Sequence, residues 1–137
     1  MNAQQVALIG DESADHSELQ KHCTTQLLEV SNNEMNVAYS NWMEMLNEME
    51  MQAADTGLDL KGVKLWMNVF WNADGSIQKI LYYPKPNSKN MDFTSITTFL
   101  EDFSKEYVLK LDSDVCFSHY GSATFPVYRK IATNNEK

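Results

Sequence analysis

Apolar residues fall at every second position of Val63-Lys64-Leu65-Trp66-Met67-Asn68-Val69-Phe70-Trp71. That period belongs to a strand with one buried face, and the β-branched and aromatic content suits it. Asp74-Gly75 follows, a pair suited to a two-residue type I′ turn, which needs positive φ at both central positions. Residues 77–83 form the return strand, closed by Pro84 and Pro86, because proline donates nothing to a ladder. The two-residue turn sets the register. It pairs Val69 with Ile80, Met67 with Tyr82 and Trp71 with Gln78 on one face. On the other, Trp66 opposes Tyr83, Phe70 opposes Lys79 and Asn68 opposes Leu81, with Ile77 nearby.

Before this hairpin the period changes to that of helices. Ser17-Glu18-Leu19-Gln20 has capping-box form, and Leu19, Cys23, Leu27 and Val30 recur at helical spacing, which predicts a first helix over 17–30. Asn33 is placed to cap a second helix, whose stripe is Met35, Ala38, Trp42, Met45, Leu46, Met49 and Ala53. Gly57 stands where a C′ glycine ends it. After the hairpin, Asp92 caps a third helix with Phe93, Ile96, Phe99, Leu100, Phe103 and Tyr107 on its stripe. Residues 115–117 and 124–131 read as one interrupted strand or two short ones, broken near Gly121 and Pro126. The fold class is α+β, with an N-terminal helix pair (17–57) followed by a β-β-α-β antiparallel sheet module (62–131). All 137 residues form one domain.

The Val69/Ile80 face is nearly all apolar and is expected to lie under the third helix. The Trp66/Phe70/Leu81/Tyr83 face is also largely apolar, where a solvated antiparallel sheet should be polar. Two explanations compete. In the favoured one the N-terminal helix pair covers this face, giving three layers. In the other the face is an exposed patch for a partner or a homodimer.

Charge narrows the partners. The net charge is -8, from 19 Asp and Glu against 11 Lys and Arg. Such a surface disfavours nucleic acid and anionic membranes, and the lysines look scattered along the chain. No apolar run reaches the roughly 20 residues of a transmembrane helix. The opening Asn2-Ala3-Gln4 looks like the remnant of a cleaved signal peptide. Cys23 and Cys116 are then a disulfide candidate in a periplasmic or secreted protein, or buried thiols in a cytoplasmic one.

Candidate chemistry is thin. Cys116-Phe117-Ser118-His119 has a C-x-x-H spacing, and His22-Cys23 could add ligands for zinc. Cys116 with His119, or His16 and His22 as bases, are conceivable catalytic groups without a supporting motif. Met43, Met45, Met49 and Met51 suggest soft copper ligands, but a packed helix face is the simpler reading. Asp112 and Asp114 lack the rest of a calcium loop, and Glu44 with Glu48 reads as a solvated helix face. No catalytic residue, metal or cofactor is expected.

Residues 62–131 resemble the C-terminal domain of TonB-type energy transducers. The resemblance rests on Gly62-Val63-Lys64-Leu65, Asn72-Ala73-Asp74-Gly75, the return strand 77–83, Met91-Asp92 at the helix start and Ala123-Thr124-Phe125-Pro126-Val127. It implies a periplasmic module that accepts an extended peptide by strand addition. The expected function is a non-enzymatic, exported protein- or peptide-binding module, using a sheet edge or the face of Trp66, Phe70, Leu81 and Tyr83. The alternative is a periplasmic binder of a small apolar ligand between helices and sheet, and an unrecognised hydrolase comes third.

Overall fold

The structure, a computed structural model, describes residues 6–9, 23–90, 92–111 and 113–127. Its elements in chain order are β1 (Val6–Leu8), β2 (Thr25–Gln26), α1 (Leu27–Val30), α2 (Met35–Asp55), β3 (Lys64–Trp71), β4 (Ile77–Pro84), α3 (Phe93–Glu106) and β5 (Phe117–Thr124). They build an α+β fold around a mixed five-stranded sheet, ordered β1-β4-β3-β5-β2. β3 pairs antiparallel with both β4 and β5, while the short strands β1 and β2 add parallel at the two edges.

The hairpin forms, but by another turn. Asn72 N–H donates to Ser76 O (2.8 Å) and Gly75 N–H to Asn72 O (2.9 Å), which makes a three-residue loop. Gly75 alone in that loop has positive φ, +92°, so this is a type I turn closed by a left-handed glycine and not the type I′ turn. A Cβ on Gly75 would collide with Leu109 O, so the close approach of the 109 segment also requires glycine. The longer loop shifts the register by one, and Trp71 pairs with Ile77 where Gln78 was expected. A bulge between Phe70 and Trp71 then shifts it back. From Phe70↔Lys79 to Trp66↔Tyr83 the expected pairs are all found.

Among the described residues the predicted first helix is only partly matched. Residues 17–22 lie outside the described residues, Cys23 is in coil, and Thr25–Gln26 is strand. Among the described residues of that span one helical turn, α1, is present. The β-branched Thr24 and Thr25 favour extended backbone, and β2 pairs Thr25 with Phe117 and Gln26 with Ser118. Strands thus precede the first described helix, and the expected N-terminal helix pair is not clearly matched. Asn32 and Asn33 both take positive φ, 60° and 61°, so Asn33 is a turn residue and Glu34 is the N-cap of α2. The C-terminus of α2 behaves as expected. Gly57 takes φ +87°, its N–H reaches Ala54 O (3.1 Å), and Leu58 N–H reaches Ala53 O (2.8 Å). Asp92 is the N-cap of α3.

α2 does not cover the Trp66 face. Its Trp42, Met45, Leu46 and Met49 join Ile96, Leu100 and Phe103 of α3 against Met67, Val69, Trp71 and Tyr82 of the sheet. Both long helices thus pack on one face, and the described residues form two layers. Tyr82 reaches this layer with its hydroxyl satisfied, donating to Phe93 O (3.1 Å) and sharing a hydrogen bond with Thr97 Oγ1 (2.7 Å).

The last strand also differs. It is one continuous element over the residues read as its break. Gly121 sits opposite Met67 in mid-strand, where glycine leaves room for a neighbour instead of ending the ladder. Residues 128–131 of the expected strand lie outside the described residues.

Candidate functional site

With both helices on one side, the outer face of the sheet becomes the candidate site. It has two ends with different fates. At one end Phe70 and Leu81 are 2% exposed and form a small second cluster with Ala7 and Cys23, against which Cys116 packs. Cys23 and Cys116 are joined in a disulfide, Cα to Cα 5.5 Å, so the pairing considered from the sequence is present. Phe70 and Leu81 are therefore not available to a partner. β1 brings Ala7 opposite Leu81, and the disulfide closes this end from the other side.

At the other end the face is open among the described residues. Trp66 is 39% exposed, Tyr83 50% and Tyr120 56%. Register brings them together: Trp66 opposes Tyr83 on β4 and Ser122 on β5, and Tyr120 opposes the adjacent Asn68. The rings of Trp66 and Tyr120 stack with centroids 6.0 Å apart and planes at 17°. Lys85 continues the ladder past Pro84, its N–H donating to Lys64 O (2.9 Å). Its side chain crosses the sheet, with Nζ 4.3 Å from the Trp66 ring centroid and 2.6 Å from Ser122 Oγ. Beside Tyr83 and Lys85 a groove of about 510 Å³ runs down to Phe93 and Ile96 of α3.

Trp66 and Tyr83 were legible from the hairpin register. Tyr120, Ser122 and Lys85 were not. A single uninterrupted β5 would have placed Tyr120 and Ser122 on the same face by parity, but Gly121 argued against it.

The sheet edges are only partly free. β1 occupies the outer edge of β4, with Ile9 N–H continuing to Tyr82 O (2.8 Å). β2 covers β5 only at Phe117 and Ser118, and the Trp42 indole N–H donates to Ser122 O (3.0 Å) further along.

The other candidates separate in space. Both thiols are consumed in the disulfide, which removes the thiolate and zinc readings of Cys116. His119 lies on the core face opposite Val69, packed against Trp42 with ring centroids 4.6 Å apart. Burial holds its pKa below the ordinary histidine value. His16 and His22 lie outside the described residues, as does Asp112. Met45 and Met49 are fully buried core residues, and Met51 is exposed, so the four thioethers do not converge. Glu44 and Glu48 face Tyr107, whose hydroxyl is pushed up to about 12, first by burial and then by these carboxylates. Among the described residues no group of three or more His, Cys, Asp or Glu could hold a metal ion, and no helix is long and apolar enough to cross a membrane.

No protein-family model matches the sequence, and no curated protein or solved structure matches it significantly.

Proposed function

We propose that this protein is an exported, non-enzymatic binding module that docks a polypeptide on the outer face of its sheet, with Trp66, Tyr83 and Tyr120 as anchors. One observation carries the reading. Both long helices pack on the opposite face, leaving these three large aromatics exposed at adjoining register positions. Exposed aromatic patches mark interaction surfaces, and Trp and Tyr are enriched among the residues that dominate binding energy. The Cys23–Cys116 disulfide supports an oxidising, extracytoplasmic setting. The TonB-type resemblance also favours a polypeptide partner. The alternative of a small apolar ligand needs room between helices and sheet. That space is taken by Met45, Met49, Trp71 and Phe103, none more than 1% exposed.

The test is selection from a random-sequence peptide array with the wild-type protein and the triple variant W66A/Y83A/Y120A, checked for an unchanged fold by circular dichroism. Wild type should select peptides. The triple variant should bind them about thirtyfold more weakly, since one interface anchor is worth about 2 kcal/mol. Equal binding by both proteins, or no selection at all, overturns the reading.

A further inference from the structure

We infer that the polypeptide docked on this face is acidic, carrying Asp or Glu next to an apolar side chain; this rests on the outer-face reading above. The whole chain has 19 Asp and Glu against 11 Lys and Arg, yet the described strand positions of this face carry lysine and no carboxylate. Lys64 lies two residues from Trp66 on β3, and Lys85 lies over Trp66. The face positions of β3, β4 and β5 hold no Asp or Glu. Parity assembles lysines that look scattered along the sequence.

The lysines adjoin the apolar anchors. The Lys85 ammonium is held between the Trp66 ring and Ser122 Oγ, so it is placed before a partner arrives. An ammonium has three donors, and Ser122 takes one. The hydroxyls of Tyr83 and Tyr120 add donors that a carboxylate can use. A carboxylate beside Lys64 and Lys85, with its neighbouring side chain on Trp66 and Tyr83, satisfies both features of the surface.

Other occupants fit less well. A symmetric pair of copies joined through this face would set the lysines against one another. Single-stranded nucleic acid needs open aromatic faces for its bases and a dense basic track for its phosphates. Here Trp66 is already stacked on Tyr120 and capped by Lys85, and the chain as a whole is at -8.

The experiment uses the random-sequence peptide array, the wild-type protein, K64Q/K85Q and W66A/Y83A/Y120A, with an oligothymidylate as a parallel probe. Peptides selected by wild type and lost by the aromatic variant should be enriched in Asp and Glu. K64Q/K85Q should bind them about fivefold more weakly at an unchanged melting temperature, and added NaCl should weaken wild-type binding. If the face-dependent peptides show no acidic enrichment and K64Q/K85Q binds them as wild type does, the inference fails while the binding-module reading stands. If no peptide depends on the aromatic residues, both fail. Oligothymidylate binding that K64Q/K85Q abolishes overturns the polypeptide assignment.

Discussion

His119 projects from the core side of β5 against the indole of Trp42, the two rings inclined at 62°. Gly121 makes this possible. A Cβ there would lie 2.8 Å from His119 Nε2 and 3.3 Å from Trp42 Cζ2, so a side chain would push the imidazole out of its place. In one dimension Gly121 looks like a strand breaker and His119 like a ligand beside Cys116. In the sheet the two are neighbours on one face, and Cys116 lies in the disulfide elsewhere. Burial lowers the His119 pKa, which has a consequence for stability. The unfolded chain takes up this proton at a higher pH than the folded one. Stability is therefore complete above the unfolded value of about 6.5, falls as pH drops through it, and levels off below the folded pKa. Carboxylates titrate lower, near 4, so the window is separate. The urea midpoint of wild type should fall between about pH 7.5 and pH 5.5, and that of His119→Gln should stay nearly flat. Parallel declines in the two proteins would show that His119 does not carry the dependence.

Among the elements the hairpin was the most legible, and it shows why legibility stops where it does. Alternation fixes which residues share a face, because a strand has a period of two. It does not fix the turn. A three-residue loop replaced the expected two-residue turn, and a bulge restored the register. The same pattern was also silent on which face each helix covers, since that depends on tertiary contacts between distant segments. The N-terminal segment shows this too: a stripe at helical spacing gave way to the pairing of β2 with β5. Hence only half of the candidate face survives as a site. Phe70 and Trp66 lie on one strand and one face, yet Phe70 is 2% exposed and Trp66 39%. Phe70→Ala should cost about 3–5 kcal/mol, as core truncations of this size do. Trp66→Ala should cost about 1–2 kcal/mol, from the lost stacking and cation–π contacts. Urea titrations with matched m-values measure both. Equal costs would contradict the division of this face into a closed end and an open one.

For the molecule as a whole, the disulfide is a long-range tie. It closes a loop across a sequence separation of 93 residues and brings the segment before β2 to the segment before β5. Without it, the described segments that cap Phe70 and Leu81 are held by two residue pairs of β2 on β5, by three pairs of β1 on β4 with the Ile9–Tyr82 hydrogen bond, and by Val6 and Leu27 in the main core. A loop of this length restricts the unfolded chain by about 4–5 kcal/mol in the chain-entropy account. The stability of a domain of ordinary size is about 5–15 kcal/mol, so the reduced protein should still fold but close to its limit. The double variant C23S/C116S should therefore lose about 4 kcal/mol in urea unfolding and bind more of an apolar dye, because the Phe70/Leu81 end loses its cover. Among the described residues the open end is built from β3, β4 with the following Lys85, and β5, whose pairing does not include the bonded cysteines. Peptide binding through Trp66 and Lys85 should therefore survive in C23S/C116S at temperatures where it remains folded. A loss below about 1 kcal/mol would show that the two segments are held mainly by their strand pairing, and the cross-link would then be incidental to the fold.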